Sequence, residues 1–540
     1  MTFCATFSDV MDEIVLAATD DLPGPPAPLL SLMLTCRKFH SLLEPTTNAT
    51  LYSRLFRQKF DAGAIARRFS SNSVDASSLA LELQQRFMML RRIKRRQVDG
   101  PDVRDAFLTA YIMLAEDDGK NIAQLRWAGL SDFVTDYIRL HLHDGAVDGW
   151  PAENATTTLA VALFWQLTTR SALTAECDEV RKEISALLAP YALVGFRYPM
   201  VRPDLDRRPA SRGPPTDNAS PEHDVVLNTV YLGQSLALRL PPIGVYAIPS
   251  YIARLERSLL CVPLGTPNTR QEAIAHGVTG FTRMDVEEYN TQFVTRLHPS
   301  SAVGCMSSTS PRSERHDMDW SWITRRPCPD MQCGYKLGTL SGKWLGTLQL
   351  PFPHEYAFLE ANGWNTSPLS NTVLMKRPLY CNLQEHYRSC ESPGLSLALG
   401  LHKFLEGGPL PEGGITVQDA KSPSEVFYRT WDEDGDAIVD GPEPGSSESP
   451  ACDLDVILTG TTDARHGQAW GAYQFFGGIR MRDGLVVLLR ESGQQTEGGA
   501  ANMRSLFIGY VLSSQNLVGR WRRVERVPAV EGIWALSKKE

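Results

Sequence analysis

Several things that would identify a chain of this length at once are missing from it. Across 540 residues no window holds the roughly 18 consecutive apolar residues that a membrane-crossing helix needs. The N-terminus has no basic stretch followed by an apolar one, and Asp9, Asp12 and Glu13 fall where the apolar part of a secretory signal would lie. Neither a membrane partner nor export is therefore expected. Ten cysteines are scattered without a single Cys-x-x-Cys pair, which fits reduced thiols in the cytoplasm, the nucleus or both. Sequons at Asn48, Asn154, Asn218 and Asn365 are chance matches in such a compartment. Cys328, Cys333, Cys381 and Cys390 could be forced into a zinc set, but their spacing is unlike the common knuckles, so no metal is expected. Gly-x-Ser-x-Gly, the phosphate-binding Walker loop, the dinucleotide glycine fingerprint and His-Glu-x-x-His are all absent, so neither catalysis nor a cofactor is expected. No repeat of about 20–50 residues recurs, against solenoid and propeller receptors. Basic residues number 54 against 62 acidic, a formal net charge of -8, the wrong balance for a general nucleic-acid binder.

What is present is an ordinary globular composition, 43% apolar and 21% charged, in a chain too long for one core. The fold class expected is multidomain α+β. In residues 9–18, Val10, Met11, Ile14 and Val15 share a helical stripe. The proline-rich stretch Leu22–Pro28 breaks that helix, and short helices are expected over 29–34, 39–43 and 48–60. Residues 63–200 continue as a helical region, with amphipathic stretches at 79–90, 103–114, 130–142, 157–167 and 176–188. The run Arg91, Arg92, Lys94, Arg95, Arg96 reads as a solvated helix end. Residues 201–224 are rich in Pro, Arg and Asp and read as a linker or long loop, and 225–337 as mixed, mainly helical and irregular.

From 338 to 540 the pattern changes to short β-branched and aromatic runs between Gly, Asp and Asn turns. These are 345–350, 455–461, 472–476, 485–489, 506–511 and 533–536, which predict an antiparallel β-barrel. Three Gly-x-Trp units, Gly342–Trp344, Gly519–Trp521 and Gly532–Trp534, place large rings beside residues that allow close backbone approach. Arg465, His466, Trp470, Arg480, Arg520 and Trp521 combine cationic and aromatic groups suited to a peptide carboxylate or acidic motif. Within the acidic loop 432–455, Asp432, Asp434, Asp436, Asp440 and Glu443 match calcium-loop spacing. Ala437 stands where that loop needs Gly, and Pro442 forbids an exit helix. His316, Asp317 and Asp319 form the one further candidate acid/base or metal group.

The segment Leu30-x-Leu32-x-Leu34-Thr35-Cys36-x-x-Phe39-x-x-Leu42, after Asp9-Val10-Met11-Asp12-Glu13-Ile14-Val15, resembles an F-box over residues 1–62. Thr6-Phe7 replaces the usual Leu-Pro, and the proline-rich connection is longer than is common. The whole chain resembles the large F-box-like families of mushroom-forming (basidiomycete) fungi, through the Gly-x-Trp strands and the segments Gly460–Phe475 and Asp483-Gly484-Leu485-Val486. More distantly, the C-terminal half is similar to the barrel domain of animal F-box proteins that bind C-terminal peptide ends. The resemblance implies an all-helical F-box ahead of a lipocalin-like barrel. It also implies a non-catalytic substrate receptor docked on a Skp-type adaptor and cullin complex, with an unknown protein substrate. The docking face would comprise Val10, Ile14, Leu29, Leu32, Leu34, Cys36, Phe39 and Leu42, and the barrel residues above would meet the substrate. The alternative is a small-ligand or calcium-binding barrel with a vestigial F-box.

Overall fold

The apolar spacing near the N-terminus makes helices that bury one face and leave the other bare. The computed structural model describes residues 7–19, 22–69, 74–147, 149–201, 226–257, 259–292, 295, 297, 310–326, 335–351, 374–390, 413–418, 425–432, 453–492, 504–524 and 531–539. Helix α1 (Phe7–Ala18) turns Met11 and Val15 inward and Val10 and Ile14 outward. α2 (Ala27–Met33) follows the proline-rich connection. α3 (Arg37–Leu42) is capped by the Cys36 sulfur, which accepts the Phe39 N–H at 3.5 Å. α4 (Ala49–Lys59) is capped by Asn48, whose amide also donates to Asp12 of α1 at 2.7 Å. Leu29, Leu43, Leu51, Leu55 and Phe56 share one buried cluster with Met11 and Val15.

The helical series continues through α5 (Gly63–Arg68), α6 (Ala76–Lys94), α7 (Val103–Ala115), α8 (Lys120–Ala128), α9 (Leu130–His141), α10 (Ala155–Leu167), α11 (Arg170–Ala175) and α12 (Asp178–Leu193). At its centre Arg86 is wholly buried. It donates to Glu82 at 2.8 Å and Glu116 at 2.7 Å, and stacks over Phe56 and Phe60. Burial alone would depress the Arg86 pKa, but Tyr231 and the two carboxylates hold it above its ordinary value. One buried cation thus ties α4, α6 and α7 together.

The expectation of helix-like runs from residue 225 is corrected by a hairpin, β1 (Val226–Tyr231) and β2 (Gln234–Arg239). Leu227, Leu236 and Leu238 are buried between more exposed neighbours, a period of two, and Leu232 and Gly233 both take positive φ in the turn. Helices α13 (Gly244–Leu255), α14 (Arg270–Ala275) and α15 (Arg283–Thr291) follow. A 3-10 turn, Arg312–His316, then leads into α16 (Asp317–Thr324). The expected linker at 201–224 lies, beyond Val201, outside the described residues.

The strands are β3 (Gly342–Leu350), β4 (Met375–Cys390), β5 (Gly414–Gln418), β6 (Glu425–Thr430), β7 (Asp453–Thr461), β8 (Tyr473–Arg480), β9 (Leu485–Ser492), β10 (Ser505–Leu512), β11 (Asn516–Arg523) and β12 (Glu531–Lys538), with α17 (Ala464–Trp470) between β7 and β8. The sheet runs β3-β12-β11-β10-β9-β8-β7-β4 and closes by pairing β4 back onto β3, an eight-stranded antiparallel barrel. The β5–β6 hairpin extends β4 beyond the reach of β3. β4 was not legible because Pro378 interrupts it. Among the described residues those before Asn382 pair with β3 and not with β7, so that proline lies where the ladder to β7 needs no N–H. The interior is filled by Trp344, Trp534, Trp521, Phe475, Phe507 and Leu488, as eight strands allow. The outer wall, through Tyr510, Val518, Ile533 and Ala535, shares a buried cluster with the helices.

Helix α16 joins the two halves. Trp320 and Ile323 belong to the helical core, whereas Met318 and Trp322, one turn apart, belong to the barrel core. Trp322 lies against the β8–β9 turn at Gly484, whose φ is +71° and where a Cβ would come within 2.3 Å of the indole. Gly484→Ala is therefore expected to lower the unfolding free energy by at least about 2 kcal/mol, from left-handed backbone cost plus collision. Urea denaturation checks this, and a loss below about 0.5 kcal/mol would remove Trp322 as the wedge.

Candidate functional site

Polar groups are buried at both ends of the barrel, some met and some not. At one end Glu385, fully buried, accepts the backbone N–H groups of Gly338, Leu340 and Ser341 at 2.8, 2.5 and 2.9 Å. Burial raises its pKa while these donors oppose the rise. That end is sealed by chain 335–341 and by Met318 and Trp322 of α16.

The opposite end is where β9 finishes and β8, β10 and β4 begin. Alternation along β9 turns Arg490 to the same side as Val486 and Leu488, into the barrel. Its guanidinium carbon lies 4.2 Å from the Tyr473 ring centre and 5.2 Å from that of Phe507. Phe507 in turn stacks with Trp521 at 6.4 Å and 22°. Burial pushes the Arg490 pKa down to about 10; Tyr473 opposes this, and the positive charges of Arg377 and Arg523 add to it. Arg490 Nε and Trp521 Nε1 have no hydrogen-bond partner among the described residues. The indoles of Trp344 and Trp534 do, donating to Leu340 O at 2.8 Å and Arg520 O at 2.9 Å. Three arginines around unmet, water-shielded donors suit a carboxylate or similar anion, which would complete charge-assisted hydrogen bonds there.

Of the residues predicted from sequence, Trp521 lines this mouth. Arg465, His466 and Trp470 sit on α17 at the same end, committed to neighbours. His466 stacks on Tyr380 at 3.7 Å, Trp470 on Phe281 at 4.9 Å, and Arg465 pairs with Glu288 of α15. Arg480 and Arg520 are corrected. Arg480 is at the sealed end, bonded to Asp483 at 2.8 Å, and Arg520 turns outward, donating to Tyr191 O of α12 at 2.8 Å. Arg490, Arg377, Tyr473 and Phe507 were missed. The signal for Arg490 was its shared parity with Val486 and Leu488, which marks an inward cation in an apolar strand.

At the N-terminal unit, Val10, Ile14 and Leu34 are 46%, 47% and 74% exposed, and Leu30 is bare beside them. Leu32, Phe39 and Leu42 are half-buried, and the exposed Cys36 caps α3. Leu29 is buried in the protein's own core, so its place on a docking face is corrected.

The His316 group is likewise structural. Asp317 binds Arg67 at 3.0 Å and Arg68 at 2.8 Å, and Asp319 accepts the Ser513 N–H at 3.1 Å. Ser513 Oγ and Asp319 Oδ2 both approach His316 Nδ1, at 3.4 and 3.5 Å, while Arg315 Nε meets Nε2 at 3.1 Å. A relay needs serine and carboxylate on opposite ring nitrogens, so this cluster is not one. Among the described residues no group of three or more His, Cys, Asp or Glu could hold a metal ion, and no helix is long and apolar enough to cross a membrane. The calcium-like loop beyond Asp432 lies outside the described residues, as do Cys328, Cys333 and the Cys390 side chain of the weighed zinc set.

No family model matches the chain, and no curated protein or solved structure matches it.

Burial raises the Asp319 pKa from 3.8 to about 7, with the Ser513 N–H, Arg68 and Arg315 opposing. A carboxyl that binds its proton more tightly when folded stabilises the protein below about pH 4, and that contribution is lost as pH rises toward 7. Asp319→Asn, which keeps an acceptor for Ser513, should flatten this fall in melting temperature between about pH 4 and 7. Parallel wild-type and variant curves would refute the assignment. Arg490→Met is expected to hold the unfolding free energy within about 1 kcal/mol of wild type or raise it, since it removes a desolvated charge. A loss beyond about 3 kcal/mol would make Arg490 structural.

Proposed function

We propose that this chain is the substrate-receptor subunit of a Skp–cullin–F-box ubiquitin ligase, acting in the cytoplasm or nucleus. The observation that carries the proposal is the bare apolar pair Val10 and Ile14 on α1, with Leu30 and Leu34 at α2, on a helical unit whose other face is already packed. Exposed leucines one turn apart fit a hydrophobic groove on a helical adaptor. Their place within an F-box-like motif, with Cys36 capping α3, supports that partner over others. The barrel is the substrate-binding half. Its filled interior supports recognition at the mouth rather than a small ligand held inside as in a lipocalin, and Arg490 with Trp521 would take an anionic group of the substrate. The chain itself does no bond chemistry: it raises the concentration of substrate beside a ubiquitin-charged enzyme. Nucleic acid and membrane have no part in this.

The test is co-purification of the full chain with a Skp-type adaptor. Wild type should retain the adaptor, and Val10→Glu/Ile14→Glu/Leu34→Glu, altering exposed positions only, should lose it at an unchanged melting temperature. Arg490→Met should keep the adaptor while losing a subset of other partners. A wild-type chain that is well folded yet binds no adaptor overturns the proposal.

A further inference from the structure

The basic run at the end of α6 does not behave as one solvated cluster. Arg92 pairs with Asp102 at 3.5 Å, and Arg96 with Asp132 and, at 3.4 Å, Asp136. Arg91, Lys94 and Arg95 are exposed, and no carboxylate among the described residues pairs with them. A helix C-terminus favours cations, which accounts for their presence. It does not account for what they surround.

These three residues rim a cavity of about 220 Å³ whose remaining walls are Phe87 of α6, Trp127 of α8 and Pro25 of the proline-rich connection. Lys94 Nζ sits 3.5 Å from the Trp127 ring centre. The wall opposite α6 is fixed in place. Gly24, at φ +114°, lies so close to Trp127 that a Cβ would stand 3.1 Å from the indole, and its N–H donates to Gln124 Oε1 at 2.7 Å. The cavity is thus pre-formed, apolar and aromatic inside, and positive at the edge.

Its volume is below the roughly 300–1,000 Å³ of whole small-molecule sites and suits one bulky side chain. Aromatic walls accept such an anchor, and three cations without carboxylate partners among the described residues complement acidic residues flanking it. We propose that the Pro25–Phe87–Trp127 cavity, with Arg91, Lys94 and Arg95, is a docking site for an acidic peptide segment of a partner protein carrying one bulky apolar side chain. The site is separate from the barrel mouth and from the exposed leucines of α1 and α2, and stands whether or not the chain is a ligase receptor.

Fluorescence anisotropy of the full chain with a labelled Glu/Asp-rich peptide bearing one central Leu tests it. Wild type should bind, and the same peptide with Ser for Leu should bind about tenfold more weakly. Arg91→Glu/Arg95→Glu, which changes exposed residues, should weaken the Leu peptide about tenfold or more, whereas Arg490→Met should not. Lys94→Gln serves as a milder second variant, with melting temperature confirming the fold. Absence of wild-type binding, equal binding of the Leu and Ser peptides, indifference to charge reversal, or loss with Arg490→Met would each overturn the proposal.

Discussion

One short helix sets the geometry on which everything else rests. α16 offers Asp317 to Arg67 and Arg68 of the helical half and, two residues on, Asp319 to the Ser513 turn of the barrel. The same helix divides its rings between the two cores, Trp320 to one and Trp322 to the other. Breaking a buried ion pair strands a charge at a cost of several kcal/mol, so these contacts act as a lock rather than a hinge. With the Arg520 bond to Tyr191 and the shared apolar wall of β10–β12, the barrel is held against the helices at separated points.

The barrel buries polar groups at both ends and meets only some of them. At the end closed by α16, Glu385 is answered by three backbone N–H groups and the Trp344 indole has an acceptor, while Trp322 Nε1 has none among the described residues. At the mouth Arg490 and Trp521 keep donors that the described residues leave unmet, beside two further arginines. Native interiors satisfy nearly all buried polar atoms, and the donors of Arg490 and Trp521 are ones that an anionic group would complete. Gly532 belongs to the same economy of space. A Cβ there would fall within 2.4 Å of Trp521 Nε1, so the ring reaches its position only because the neighbouring strand carries glycine.

Much of the helical half was legible because its period is local. Val103–Ala115 and Ala155–Leu167 emerge close to the expected limits, as do the four N-terminal helices, since 3.6-residue spacing and breakers such as Pro25 and Pro45 act within a few residues. Six strands of the sheet stood out as β-branched and aromatic runs between turn residues; β4, β5, β6, β11 and the β1–β2 hairpin lay outside those runs, β4 being interrupted by Pro378. Residue type likewise marked the exposed Val10–Ile14 stripe and the cationic, aromatic character of the barrel. Whether Arg520 faces a ligand or a helix, whether Leu29 faces a partner or its own core, and whether His316 works or merely fills space depend on contacts between residues hundreds of positions apart. Composition and periodicity thus settled the class of most helices and of six strands. Only closure of β4 onto β3, and the docking of that barrel through α16, decided which of its arginines turn inward and which bond to a helix, because pairing across a fold is a property of packing rather than of sequence neighbourhood.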